Sequence, residues 1–233
     1  MKVLSRRTEF SRLVEEAANI AASGRWKAVN EQITLLTSNP GQDNDWWVQL
    51  LGSLCFQVFS EYLSLKHAYE ETRDESLLAW RVRNLLELSV WSLYCTKSRA
   101  NARRLYEDAG RDMMGLFSAF TKWGTATAQA PEWLDLFTGA KKELAQRAAA
   151  EGIASLDESY KGVNDAAKDV GIGDHFALSN RMLSKFAHPT AVRILAPPDE
   201  TRAAVQRDCF FSQGCLFFTG AFAALEGQLL QVA

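Results

Sequence analysis

The sequence predicts an all-α protein, a multi-helix bundle of about eight helices. Three observations carry that prediction. Apolar residues recur at helical spacing in almost every segment, as in Phe10, Leu13, Val14, Ala17 and Ala21. Strand signals are nearly absent, with no sustained period-two alternation and few β-branched clusters. The breaks between periodic stretches carry helix-end chemistry, with Gly24, Pro131, Gly152 and Gly171 at the stops and starts.

The elements follow in order. The first helix covers about residues 8–22 and ends at Gly24; a second, about 26–36, aligns Trp26, Val29, Ile33 and Leu36. The polar run 38–44 is the clearest early loop. It divides the chain into an N-terminal helical appendage, 1–40, and a main helical bundle, 41–233. A long helix covers about 45–71. Thr72, Arg73, Asp74 and Glu75 fit a capping box that opens the next helix, about 74–96. That helix is apolar nearly all round, from Leu77 to Tyr94, which assigns it to the centre of a bundle. A charged helix follows from about residue 99 to 121, then a loop at 124–130. Another helix, about 132–151, has Pro131 at its first position. Ser155, Leu156, Asp157 and Glu158 read as a second capping box, starting a short helix to about 170. After the linker Ala196-Pro197-Pro198 the last helix runs from about 200 to 230. Its small residues Gly214, Gly220, Ala221, Ala224 and Gly227 admit a close neighbour.

Composition bounds the function. The 233 residues carry 47% hydrophobic and 23% charged side chains and a formal net charge of −2, which argues against a basic nucleic-acid coat but not against a local basic groove. Cys55, Cys95, Cys209 and Cys215 form no C-x-x-C pair and sit in apolar runs, as reduced core residues of a cytoplasmic protein do. Residues 1–10 lack the apolar stretch of a signal peptide. The longest uncharged run, 209–225, contains Ser212, Gln213, Gly214, Thr219 and Gly220, and reads as a buried helix rather than a membrane span. No phosphate-binding loop, zinc-protease motif or Gly-x-Ser-x-Gly appears, so neither metal ligands nor a cofactor are assigned.

The stretch that carries chemistry is 179–191. Arg181 and His188 are seven apart, about two helical turns, and so share a face, with Ser184 and Lys185 between them. Pro189 disfavours helical backbone at His188 and so ends the helix there. A titratable imidazole and a permanent, phosphate-matching cation at fixed spacing suit acid/base work on a phosphodiester without a metal. On spacing alone they suit better a helix-capping histidine beside a surface arginine, since His at a helix C-terminus is common. Arg83 and Glu87, four apart in the apolar 74–96 helix, read as a buried ion pair that either fixes helix register or orients His188. Ser184 and Asn180 complete the supporting set. Trp80, Asn84, Glu87 and Trp91 share one stripe, as site wall or as core. Lys97, Arg99, Arg103 and Arg104 read as a phosphate-binding cluster or as a solvated face of i,i+4 pairs. His175 reads as a loop residue or a further member of the site.

Arg, six intervening residues and then His near a helix end resembles the signature of the HEPN superfamily. The phrase from Leu183 to Thr190 resembles bacterial helical families grouped near it. That resemblance implies a small all-helical protein, a homodimer, acting as a metal-independent endoribonuclease in bacterial defence or toxin–antitoxin systems. It implies an RNA substrate, an antitoxin or defence-system partner protein, and catalysis by Arg181 and His188. After the arginine, where active members usually carry a polar residue, this chain has Met182. The alternative is a non-catalytic helical binding protein of the same fold, with Arg181 and His188 holding an anion or serving structure.

Overall fold

The computed structural model describes residues 2–38, 45–72, 74–127, 131–153, 155–188, 190, 194–195 and 199–231. Among these there are nine helices and no strand: α1 (Lys2–Ala22), α2 (Gly24–Thr37), α3 (Asp45–Glu71), α4 (Glu75–Lys97), α5 (Arg99–Thr127), α6 (Pro131–Ala150), α7 (Val163–Asp169), α8 (Gly173–Ala187) and α9 (Glu200–Gln231). The all-α expectation is met. Most of the loop at 38–44 and the linker at 196–198 lie outside the described residues.

The chain forms two compact units, residues 1–99 with 163–233, and residues 100–162. The line therefore does not fall at residue 40. α1 packs on α9, and α2 packs on α3 and α9, so the N-terminal helices belong to the larger unit. Ala17, Ile20 and Val29 are buried there, and Trp26 stacks on Phe59 with ring centroids 4.0 Å apart.

At the centre of that unit α4 packs against α3, α7, α8 and α9. Leu78, Val82, Leu85, Leu86 and Val90 are buried, and buried Ser89 and Ser92 satisfy their hydroxyls on the Leu86 and Leu88 carbonyls. On α9, Gly214 makes the close approach possible: a Cβ there would run into Leu65 of α3 and touch Val82 of α4. Gly220 and Gly227 face open space, so only one of these three glycines serves close packing. Phe218 stacks on Tyr62 (4.1 Å, 12°) with Phe222 beside it. By length and composition α9 could cross a membrane, but 56% of its apolar stretch is covered by the rest of the chain, the pattern of a core helix.

Two helix starts differ from expectation. The cap of α4 is Asp74, whose carboxylate accepts from the Ser76 and Leu77 amides, while the Thr72 hydroxyl donates to Ala68 at the end of α3. Residues 155–162 form bends instead of a helix, and α7 begins only at Val163. The cause is visible in the smaller unit. Arg111 takes the Ser155 carbonyl, Arg104 takes the Ser159 carbonyl, and Asp108 takes the Lys161 amide. Charges on α5 bind the backbone groups that a helix would have paired internally.

Burial pushes the thiols of Cys55, Cys95 and Cys215 from 9.0 up to about 12, and the phenols of Tyr62 and Tyr69 from 10.0 up to about 12, Tyr69 with help from its bond to Asp208. Groups whose folded value is raised contribute fully below the unfolded value and lose that contribution as pH climbs towards the folded one. Stability should therefore hold through neutral pH and fall progressively from about pH 9. In urea titrations across that range, a flat profile to pH 11 would contradict the burial of these groups. A thiol reagent should meet one fast cysteine, the exposed Cys209, and the other three only on unfolding.

Candidate functional site

α8 is anchored by its apolar face. Phe176 and Leu183 are buried, and Phe186 meets Phe210 of α9 edge-on at 5.1 Å. That leaves Arg181, Ser184 and His188 on the outward side. His188 is the C-cap with extended backbone (φ −120°, ψ 153°), as expected of a residue before proline. The Thr190 hydroxyl donates to the Lys185 carbonyl and closes the helix end.

Two contacts set α8 against α4. The Lys97 ammonium bonds the Asp169 carbonyl just ahead of α8, and at the other end Arg83 Nη1 lies 3.0 Å from His188 Nε2. The two helices therefore run antiparallel. A guanidinium only donates, so His188 Nε2 accepts here, which makes the imidazole neutral with its proton on Nδ1. Behind it, Arg83 Nε sits 3.2 Å from Glu87 Oε1. The structure thus brings Arg83, Glu87 and His188 together across a separation of 105 residues.

The ion pair is not deeply buried: the Arg83 and Glu87 side chains keep 29% and 34% of their exposure. Helix α4 is not covered all round, because a strip between α3 and α8 stays open. Trp80 is exposed on that strip, and Trp91 is half-buried. A pair this wet is worth about 0–1 kcal/mol, not the several of an interior pair.

Arg181 is exposed and makes no hydrogen bond or ion pair among the described residues. Seven residues from His188, it sits about 10 Å back along α8. Asn180 and Ser184 engage each other, the Ser184 hydroxyl lying 3.5 Å from Asn180 Oδ1. His175 stands at the opposite end of α8, edge-on to Phe217, away from His188. The basic cluster is spent on internal contacts: Arg103 on Glu107 and the Glu151 carbonyl, Arg104 on Asp108, Arg99 over Trp46 and Trp47. The open depressions at Trp26–Gln57, Tyr69–Asp208 and Lys168–His175 are lined by none of Arg83, Glu87, Arg181 and His188. Arg181 and His188 are exposed.

No family model, curated protein or solved structure matches this chain.

The sequence did not single out Glu61. It accepts from Arg81 at 3.2 Å and from Asn84 at 3.4 Å, so it borders the same open strip from α3. The signal was present as one acid in the apolar 46–65 stretch, placed to meet an arginine on a neighbouring apolar helix. Among the described residues no group of three or more His, Cys, Asp or Glu side chains converges.

Proposed function

We propose that this chain is a HEPN-like, metal-independent endoribonuclease acting in the bacterial cytoplasm as part of a defence or toxin–antitoxin system. One observation carries most of the weight. Arg83, paired with Glu87, meets His188 Nε2 on an exposed surface where Arg181 makes no hydrogen bond or ion pair among the described residues. An RNA phosphate supplies what that surface lacks, an anion for two guanidinium groups. With phosphate bound, Arg83 turns from His188 and frees Nε2. The imidazole then takes the proton of the 2′-hydroxyl as that oxygen attacks the adjacent phosphorus. The 5′-oxygen leaves with a proton drawn from solvent, to which the imidazolium returns its own, giving a cyclic phosphate end. Arg181 and Arg83 bear the charge that builds on the phosphoryl oxygens.

The second reading is a non-catalytic interaction protein. It is favoured by the exposure of Arg181 and His188 and by Met182 after the arginine.

Purified wild-type protein, His188→Ala and Arg181→Lys are incubated with total RNA and with tRNA, with and without EDTA. Wild-type cleavage should survive the chelator. His188→Ala should lose about 10²–10⁴ in rate while keeping its helical spectrum, since the side chain is exposed. Arg181→Lys should also be poor, having lost the planar fork. Equal cleavage by all three places the activity elsewhere. No cleavage by folded wild-type protein decides for the second reading.

A further inference from the structure

Beyond Arg83, on the side away from Arg181, the strip on α4 carries a second cluster that the acid/base chemistry does not use. Trp80 lies one turn before Arg83, on the same face of α4, and is 42% exposed. The Arg81 guanidinium rests 4.8 Å from the centre of its ring. From there Arg81 Nη1 donates to both oxygens of Glu61 on α3, at 3.2 and 3.3 Å, while its Nε is buried without a hydrogen-bond partner. Asn84, one turn after Trp80, donates to Glu61 Oε1 at a long 3.4 Å. The Glu61 side chain keeps only 15% of its exposure. A carboxylate offers about four acceptor positions. Among the described residues Glu61 receives these two donors alone, and one of them is shared between its oxygens. It is a screened anion with acceptor capacity to spare, beside an aromatic ring and close to the Arg83–His188 contact.

We propose that this cluster is a base subsite that selects guanine in the RNA bound at Arg83, His188 and Arg181, a role that rests on the ribonuclease reading of that neighbouring site. The exposed ring supplies a platform for a flat ligand, since unpaired bases in RNA stack on aromatic side chains. Arg81 steadies the indole and neutralises Glu61, so that a carboxylate can sit next to a polyanion. Selection follows from the donor pattern. Guanine alone among the four bases presents two adjacent donors, N1–H and the N2 amino group, which match a carboxylate that accepts with both oxygens. Adenine and cytosine set a ring-nitrogen lone pair beside their amino donor, and uracil flanks its N3–H with two carbonyl oxygens. Each would aim a lone pair at a carboxylate oxygen, and leaving buried polar groups unpaired is what a binding site discriminates against most strongly.

The test separates binding from cleavage. Anisotropy titrations use 2′-O-methyl oligouridines of about eight residues, whose blocked 2′-oxygens prevent cutting, with a single central guanine or a single central adenine. The wild-type chain should bind the guanine strand about tenfold or more tighter than the adenine strand. Glu61→Gln, which turns one acceptor into a donor, should bind both strands alike. Trp80→Ala should weaken the guanine strand by about tenfold. Phe56→Ala, at another exposed aromatic side chain on α3, should change neither. Should Glu61→Gln lose its helical spectrum, Trp80→Ala, at an exposed position, carries the test. Equal wild-type affinity for the two strands overturns the inference, as does a Trp80→Ala protein that binds like wild type. So does guanosine monophosphate binding as tightly as the guanine strand, which assigns the cluster to a free nucleotide. Cleavage of total RNA with no guanine bordering the cut sites removes this subsite and leaves the ribonuclease reading standing. Guanine-selective binding by a protein that cuts no RNA removes the ribonuclease reading and keeps the subsite.

Discussion

Replacing Asp108 with alanine is expected to destabilise the 100–162 unit by about 3 kcal/mol or more, one of the largest single effects in the chain. The carboxylate is almost fully buried and holds three partners: Arg104 at 3.1 Å, Arg111 at 2.7 Å and the Lys161 amide at 2.9 Å. Arg111 is as buried as Asp108 and cannot retreat to water. Its remaining contacts are the Ser155 carbonyl at 3.2 Å and two partly solvated carboxylates, Glu107 at 3.3 Å and Glu158 at 3.1 Å. Removing Asp108 thus leaves a buried guanidinium underpaired and a backbone amide without an acceptor, two costs that add. Urea unfolding and limited proteolysis of the 151–162 segment provide the measurement. Glu107→Ala should be much milder, because Arg111 keeps Asp108. An Asp108→Ala protein as stable and as protease-resistant as wild type would mean that the network contributes nothing.

Phe218→Ala should cost about 3–5 kcal/mol in the larger unit. Phe218 is fully buried where α9 crosses α3, stacked on Tyr62 and flanked by Phe59 and Phe222. The Gly214 approach holds the α9 backbone at its distance from α3, so collapse onto the vacancy is limited and the cavity persists. The urea midpoint should fall without a change in slope. A loss under about 1 kcal/mol would show that this stack is not where the core is tight.

Local chemistry was legible in the sequence, and partners distant in sequence were not. The bounds of α3, α4, α6 and α9 follow from apolar period and helix-end residues, and α8 ends where Pro189 requires. The 155–162 segment was misread because its capping pattern is local, whereas the groups that win its backbone sit on α5, about fifty residues earlier. The charges on α5 looked like a solvated face for the same reason. An i,i+4 pattern describes an exposed network and a buried one equally well, and only the loop folded over it distinguishes them. At the site, the Arg181–His188 spacing and the oddity of Arg83 and Glu87 in an apolar helix were both visible. The exposure of that pair was not, because it depends on the gap between α3 and α8. Glu61 was missed because its partners come from another helix.

The two contacts that tie α8 to α4 act as supports at the ends of a beam. Lys97 holds the segment entering α8, and Arg83 holds the residue leaving it. A span supported at both ends can twist about its axis but cannot swing as a lever. His188 therefore sits at one support, and on the proposed reading it is released only when an anion draws Arg83 away. Arg181 lies mid-span with its base equally fixed and its long side chain making no hydrogen bond or ion pair among the described residues. On the proposed reading, tolerance in what this surface accepts resides in one side chain, and accuracy in the other.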